Sequence, residues 1–354
     1  MNVKKNIMFA IGALLIAFLT IRTVAAQSRA LTPGHILSML EHASIPGLIA
    51  TLLSMFGFIL FEALALQCLL NSLGYKTNIF TGLVYSAGDQ FFSAITPSAS
   101  GGQPVSALFM RFNRIPVSVI TVTLLANLVM YTMSSFSIGV LSLLFMPSVL
   151  LNFNEISLAF ILFGSLVMLL LTIIFYALLR KSSYLKRLGM GSIKFLHKIH
   201  IIRNVSKWND RMERHMADFK LCSQLLQNKG TVLLLAFIFN LAQRISQISV
   251  TPLMHLALGN LERVDLARLW IIQNLAQVGS NCVPIPGGMG VADYLMLDGF
   301  QSIFTKDYAY MLQTLCRSTS FYICASVSGL IVLVGYIKHI IRSFQKNDKT
   351  IRIL

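Results

Sequence analysis

The stretch Pro284-Ile285-Pro286-Gly287-Gly288-Met289-Gly290 lies between two apolar segments and decides how the chain can fold. Each proline removes a backbone donor and the glycines have a weak preference for helix, so this stretch cannot be continuous helix. In a lipid environment, unwound backbone is tolerated only where protein surrounds it or water reaches it. The sequence therefore predicts a helix break that is also a candidate functional site.

The composition is that of an integral membrane protein. Of the 354 residues, 55% are hydrophobic and 12% are charged, and the mean hydropathy is +0.71, whereas soluble domains have roughly 25% charged residues. The net charge of +16 comes from Lys and Arg between and after the apolar runs. This placement is typical of cytoplasmic loops that face anionic lipid headgroups. We therefore expect a membrane as the partner and no nucleic acid.

Six apolar runs are long enough to cross a bilayer, which takes about 20 residues. They are 7–24, 45–73, 115–146, 156–179, 231–258 and 308–337. A cleaved signal peptide is the alternative for the first run, but Arg22 falls where a cleavage region should be uncharged. Two further segments, 79–112 and 265–304, are interrupted near their centres by clusters of Pro, Gly and Ser. Each is predicted to form two half-helices.

Charge in the connections predicts the orientation. The connection 180–229 is rich in Lys and Arg and has only Asp210, Glu213 and Asp218 as acids, and the tail after Lys338 is also basic. Both termini and this connection are therefore expected in the cytoplasm, with the amphipathic connection lying on the inner leaflet. With six spans and both ends inside, each interrupted segment must return to its side of entry. We predict two opposed re-entrant hairpins.

The two interrupted segments also resemble each other. The ten residues from Gly101 and the ten from Gly287 share Gly, Gly, Val and Met at equivalent positions. Each copy lies between two full spans, within 45–146 and 231–337, as in inverted-repeat transporters. A chance match between glycine-rich loops is the alternative. The predicted fold is an all-α polytopic membrane protein in which residues 1–354 form one transmembrane domain with two inverted repeats.

Ionisable side chains inside apolar segments usually face a polar interior and pair with one another. They are Glu62, Asp89, Arg244, Asp293, Asp298 and Arg317. Arg244 and Arg317 lie on the spans that bracket the second hairpin. One hypothesis is that they form ion pairs with its two aspartates and lock it in place. The other is that their planar guanidinium groups bind a lipid phosphate, assisted by the N-termini of the half-helices.

Polar residues recur at helical spacing in both interrupted segments, which suits either a wet groove or hydrogen bonds between helices. From these patterns we predict a substrate-binding site and no catalytic residues. The predicted site residues are Arg244, Arg317, Asp89, Asp293, Gln103, Ser100, Gly101, Gly102, Gly287, Gly288, Gln277 and Asn281.

Enzyme signatures are absent from the sequence. It has no G-x-S-x-G, H-E-x-x-H, P-loop or dinucleotide fingerprint. We expect no cofactor and no metal, because the pair His197 and His200 has no carboxylate or cysteine beside it. An intramembrane enzyme that uses Asp89 or Asp293 is the alternative to a transporter.

The motifs Thr96-Pro97-Ser98-Ala99-Ser100-Gly101-Gly102-Gln103-Pro104 and Pro284-Ile285-Pro286-Gly287-Gly288-Met289-Gly290-Val291 resemble those of a known family. Over nearly its whole length, the chain is similar to the transmembrane, flippase-type region of the lysylphosphatidylglycerol synthase (MprF) family. The resemblance implies re-entrant helices that move an anionic or aminoacylated phospholipid between the leaflets of a bacterial-type inner cell membrane. The resemblance does not determine the oligomeric state, and a homo-oligomer is one of the alternatives.

Two departures from the family pattern affect these expectations. After the glycine motif the family often has Arg-Glu, where this chain has Ala292-Asp293, so the cation is lost and the acid is shorter. Full-length members also carry a soluble domain that transfers the aminoacyl group. This chain stops soon after its last apolar run, so we expect a stand-alone member. A phosphatidylglycerol lysyltransferase name would then apply by similarity only.

Overall fold

The computed structural model describes residues 43–96, 99–181, 183–187, 189–191, 205–259, 264–281, 283, 288 and 290–351. All regular structure in these residues is helical. In chain order the helices are α1 (Ile45–Ser72), α2 (Ile79–Ile95), α3 (Gly102–Phe112), α4 (Val117–Phe145), α5 (Glu155–Arg180), α6 (Val205–Gln227), α7 (Gly230–Ala257), α8 (Leu266–Ser280), α9 (Val291–Gln301), α10 (Lys306–Arg317) and α11 (Cys324–Ile351). A short 3₁₀ turn, Pro147–Asn152, precedes α5, and a π-helical turn, Ser318–Ile323, joins α10 to α11.

Within the described residues, five helical segments are long and apolar enough to cross a membrane. They are Ile45–Ser72, Val117–Phe145, Glu155–Arg180, Gly230–Ala257 and Lys306–Ile341. These segments coincide with five of the six predicted runs. The predicted run 7–24 lies outside the described residues.

Helix starts follow from polar residues just before the apolar runs. The side chains of Asn78, Asn154 and Asp265 accept hydrogen bonds from backbone N–H groups in the first turns of α2, α5 and α8, at 2.8, 2.8 and 3.0 Å. Such caps satisfy donors that have no partner inside the helix. The boundaries of these helices are therefore local properties of the sequence.

The first interrupted segment folds into a pair of antiparallel helices, α2 and α3, which we call the first hairpin. Near the break, Gly102 lies against Asp89 and Ser93. At the far end, Asn113 Nδ2 donates to the Tyr85 hydroxyl at 2.8 Å. The start of α3 contacts the last turns of α2, and the end of α3 contacts an earlier turn of α2. The two helices therefore run in opposite directions. The predicted break between two half-helices is confirmed here.

The second interrupted segment has the same design in α8 and α9, the second hairpin. Gly279 at the end of α8 lies against Leu295, and Gly299 at the end of α9 lies against Ile272. Helix α8 ends at Ser280 and α9 begins at Val291, so two separate helices flank the predicted break. Of that stretch, the structure describes Gly288 and Gly290. Their φ angles of 62° and 81° lie in the left-handed region that glycine tolerates best.

The two hairpins flank a central antiparallel pair of long helices, α1 and α7. Gly47 of α1 approaches Ala257 so closely that an added Cβ would lie 2.7 Å from its Cα. Ser54 Oγ donates to the carbonyl of Ser246 at 2.6 Å. Small residues at both positions allow the two backbones to approach, which is how apolar helices associate in membranes.

Helix α6, in the basic connection, packs partly against the helix bundle. Phe219 and Leu226 of α6 are fully buried with Val122 and Ala126 of α4 and other apolar side chains. The described part of the predicted surface helix therefore also uses its apolar face for protein contacts. The segment 192–204 of that prediction lies outside the described residues.

Helix α5 shows the opposite pattern, since about half of its apolar side chains are exposed. Leu162, Phe163, Leu166, Leu170 and Ile173 are each about half exposed or more. A continuous apolar surface of this kind is costly in water and natural in lipid. This surface identifies α5 as a peripheral helix of a membrane protein.

Candidate functional site

A cavity of about 480 Å³ lies between the two hairpins, within the central helices. Side chains from α1, α2, α4, α7, α8 and the π-helical turn line it, together with residues of both breaks. Six of the predicted site residues line it: Asp89, Gln103, Gln277, Asn281, Gly288 and Arg317. The tertiary structure thus brings residues of both predicted hairpins to one polar space.

The other predicted site residues lie beside the cavity or away from it. Gly102 is buried and touches Asp89, while Gly101 donates its N–H to Thr96 Oγ1 at 2.8 Å. Ser100 is exposed. Gly287 lies outside the described residues. Arg244 and Asp293 do not line the cavity, and each reaches it through a neighbouring side chain.

One side of the cavity is acidic. Glu62 of α1 and Asp89 of α2 are 3% and 8% exposed, and both line the cavity. Gln90, the neighbour of Asp89 in the chain, donates to Glu62 Oε2, which places Glu62 against the same turn of α2 as Asp89. Ser86 Oγ donates to Glu62 Oε2 at 2.9 Å, and Gln103 Nε2 donates to Asp89 Oδ2 at 2.6 Å. The predicted list omits Glu62, although a carboxylate in the middle of an apolar run was a usable signal.

Arg317, the last residue of α10, also lines the cavity. Its Nε lies 2.9 Å from Oδ1 of Asp293, and the side chains are 8% and 37% exposed. Oδ2 of Asp293 also accepts the N–H of Gly290 at 2.9 Å, which closes the N-terminus of α9. The ion-pair hypothesis therefore describes Arg317 in this structure, and the N-terminus of α9 already has an anionic partner in Asp293.

The other aspartate of the second hairpin does not pair with either arginine. Asp298 accepts hydrogen bonds from the backbone N and the Nδ2 of Asn154, at 2.9 and 3.0 Å. These bonds attach α9 to the start of α5. The predicted ion-pair lock thus holds for Asp293 and fails for Asp298, because Asp298 faces the end of a neighbouring helix.

Arg244 of α7 is completely buried. Its Nη1 donates to Gln247 Oε1 at 2.6 Å and to the Tyr131 hydroxyl at 3.2 Å, and both of these partners line the cavity. In the described part of the chain, Nε and Nη2 of Arg244 have no hydrogen-bond partner. A buried guanidinium with two unused donors is suited to binding an anion.

Few of these charges are neutralised by direct pairing. In the described ranges, the ion pairs are Arg317–Asp293 and the exposed Lys186–Glu213. Glu62 and Asp89 are therefore held by neutral hydrogen-bond donors rather than by a basic side chain. The same ranges contain no group of three or more His, Cys, Asp or Glu residues that could hold a metal ion. The cavity can accordingly accept a polar molecule that carries charge.

Several residues that sequence reasoning did not select also shape the cavity. Tyr131 of α4, Gln243 and Gln247 of α7, and Gln90 of α2 all line it. Each is a polar residue inside an apolar run, which is a detectable signal. The sequence did not reveal which way these polar side chains point, because the long helices are apolar around most of their circumference.

The chain is similar in sequence to a known protein family and to an archaeal membrane protein. The family model of the lysylphosphatidylglycerol synthase TM region matches residues 7–328. A UPF0104 membrane protein from Archaeoglobus fulgidus is 23% identical over an alignment of 317 residues, which covers 88% of this chain and 93% of the archaeal protein. No solved structure matches the chain.

Proposed function

The chain belongs to the family of the lysylphosphatidylglycerol synthase TM region, and from this premise we propose that it moves a phosphate-bearing lipid between the leaflets of a membrane. The observation that carries the proposal is the cavity shared by the two hairpins, which charged and polar side chains line together with apolar ones. A cavity of about 480 Å³ falls within the usual range for small-ligand sites, roughly 300 to 1,000 Å³. It suits a lipid headgroup, while the acyl chains stay in the bilayer.

The arrangement of the helices supports an alternating-access mechanism of the inverted-repeat type. Helices α1 and α7 have 28 residues each, and α3 and α9 have 11 each. In both halves a long helix precedes a hairpin and a further long segment follows it. Because the equivalent helices α1 and α7 are antiparallel, we propose that the halves 45–146 and 231–337 are inverted repeats.

The proposed membrane arrangement follows from these repeats and from the distribution of charge. The two hairpins would be re-entrant and would enter from opposite sides, with the basic connection and both termini in the cytoplasm. The membrane would be a bacterial-type inner cell membrane. The hairpin breaks would then meet near the middle of the bilayer, where a headgroup needs a polar path.

In this proposal the two arginines bind the lipid phosphate. Arg244 offers Nε and Nη2, which a phosphate would satisfy. Arg317 is held by Asp293, so a phosphate entering the cavity would compete with that carboxylate. Gln103, Gln277 and Asn281 offer further hydrogen bonds to the headgroup. An anionic or aminoacylated phospholipid fits this combination of groups.

The test is lipid movement in vesicles reconstituted with purified protein. A fluorescent phosphatidylglycerol in the inner leaflet becomes accessible to a membrane-impermeant quencher only after translocation. Arg244→Gln and Arg317→Gln should each slow this movement about tenfold or more, since a hydrogen bond to a charged group contributes roughly 1.5 to 3 kcal/mol.

Arg180→Gln provides the matched control, because Arg180 is an exposed arginine at the end of α5 whose Nη1 contacts the Tyr176 hydroxyl at 2.7 Å. It should move lipid at the normal rate. Normal transport by both cavity variants would show that the phosphate assignment is wrong. Absence of transport by the unaltered protein, with any anionic or aminoacylated phospholipid tested, would contradict the translocase function itself.

The second candidate function is a membrane-embedded lipid-modifying enzyme or its accessory subunit. The buried carboxyl pair Glu62 and Asp89 favours it, because paired carboxyl groups can serve as acid and base. Mass analysis of lipid recovered from the same vesicles separates the two functions. Translocation of unchanged lipid supports the transporter, and a chemically altered lipid supports the enzyme.

A further inference from the structure

Glu62 and Asp89 form a carboxyl pair whose hydrogen bonds leave one oxygen without a neutral donor. Ser86, Gln90 and Gln243 all donate to Oε2 of Glu62. Ser93 donates to Oδ1 of Asp89 and Gln103 to Oδ2. Oε1 of Glu62 accepts none of these hydrogen bonds, so it is the oxygen of the pair that is open to a proton.

The surroundings of the pair oppose two negative charges at once. Both residues are more than nine-tenths buried, and neither forms an ion pair with any basic residue that the structure describes. Around the cavity, the charged or titratable groups on neighbouring elements are Tyr131 of α4, Arg244 of α7, Asp293 of α9, Arg317 of α10 and Cys324 of α11. Two adjacent carboxylates without a cation repel each other, and sharing one proton removes the repulsion.

A separate observation also indicates that a ligand binds beside the pair and donates a hydrogen bond. Gln243 is 1% exposed and lines the cavity, and its Nε2 lies 3.3 Å from Glu62 Oε2. Its Oε1 is buried and has no hydrogen-bond partner among the described residues. A buried acceptor is rarely left without a donor. A ligand group that donates a hydrogen bond beside the carboxyl pair would supply that donor.

We propose that Glu62 and Asp89 bind one proton and couple its movement to the movement of lipid. The coupling rests on the proposed function, whereas the proton site itself does not. A phosphate in the same cavity would favour the protonated pair, because a nearby negative charge opposes a second one. By linkage, protonation must then favour phosphate binding to the same degree. The proton and the anionic headgroup would therefore travel together.

The proton site can be tested without lipid transport. Infrared difference spectra of the purified protein, taken between acidic and basic buffer, should show a protonated carboxyl band. Glu62→Gln should remove this band, and Asp89→Asn should shift it, since both changes keep the size of the side chain. Glu155→Gln alters an exposed carboxylate in the first turn of α5 and should leave the band unchanged.

Persistence of the band in Glu62→Gln would overturn the proton site. Loss of the band on adding sodium ions at constant pH would also overturn it, because the pair would then be a metal-cation site. A band assigned to Glu62 in a protein that moves no lipid would keep the proton site and contradict only the proposed function and the coupling.

The coupling needs a second measurement in vesicles that contain a trapped pH-sensitive dye. An imposed proton gradient should accelerate movement of fluorescent phosphatidylglycerol, and lipid movement should be accompanied by proton movement in the same direction. Glu62→Gln should lose both the acceleration and the proton signal, and Glu155→Gln should keep both. Lipid movement that ignores the gradient in the unaltered protein would overturn the coupling.

Discussion

The two hairpins have the same backbone design and use their acidic residues in different ways. In the first hairpin, Asp89 points into the cavity and interacts with Glu62 of α1. In the second, Asp293 closes the N-terminus of its own helix and binds Arg317. One carboxylate thus lines the cavity, where the proposed function gives it a ligand role, whereas the other stabilises the break. A helix break in a membrane protein must be stabilised by neighbouring groups. In the second hairpin the charged side chain of Asp293 does this.

The largest expected effect concerns the close packing of the first hairpin. A Cβ added at Gly102 would lie 1.9 Å from Asp89 Oδ1 and 2.5 Å from the Asp89 carbonyl oxygen. Because the carbonyl oxygen is backbone and cannot rotate away, Gly102→Ala should separate α2 from α3 and cost about 3 kcal/mol of stability. Thermal unfolding in detergent measures the loss.

Gly139→Ala in α4 is the control, because an added Cβ there meets nothing within 4 Å. It should be neutral or slightly stabilising, since Ala favours helix over Gly by up to about 1 kcal/mol. Equal unfolding temperatures for the two variants would mean that the first hairpin does not depend on this contact.

The next effect tests the structural role of Asp293 in the second hairpin. Asp293→Asn should cost about 2 kcal/mol, because it weakens both the bond to Gly290 N and the ion pair with Arg317. The figure stays modest because Asp293 is 37% exposed. A double-mutant cycle with Arg317→Gln, followed by thermal unfolding, should give a coupling of about 1 kcal/mol.

Asp89→Asn tests whether the two hairpins use their aspartates in different ways. The Asp89 carboxylate accepts hydrogen bonds from Ser93 and Gln103, and an amide in its place can partly replace it as the acceptor. Stability should therefore change less than in Asp293→Asn, while lipid movement should fall more. The reverse order in either measurement would contradict the assignment of a ligand role to Asp89 and a structural role to Asp293.

The smallest expected effect concerns the attachment of the second hairpin to α5. Asp298→Asn weakens one of two hydrogen bonds to Asn154, at an exposed position, and should cost about 1 kcal/mol. Thermal unfolding again measures the change. Asn154→Ala removes the partner side chain and the α5 cap together, so it should cost more. A larger loss in Asp298→Asn than in Asn154→Ala would argue against this attachment.

Most of the secondary structure could be predicted from the sequence, because it depends on local chemistry. Five predicted apolar runs became long helices, and both predicted breaks lie between separate short helices. Proline and glycine interrupt a helix wherever they occur, so the break at 284–290 required no knowledge of the rest of the fold.

The candidate site was predictable only in part. Asp89, Gln103, Gln277 and Arg317 do meet at the cavity, as expected for polar residues inside apolar segments. The partners were not predictable, because side-chain pairing depends on how helices rotate about their axes. Gln243 of α7 donates to Glu62 of α1, and Asp298 turns toward Asn154 instead of an arginine.

The sequence by itself determined that this is a helical membrane protein with two interrupted segments and several buried charges, since hydropathy and helix breaking act over a few neighbouring residues. Only the tertiary structure decided which charges pair. Arg317 and Asp293 lie 2.9 Å apart, whereas Arg244 keeps two donors without partners in the described part of the chain. The reason is that electrostatic pairing requires contact between atoms, and helix packing brings distant parts of the chain into that contact.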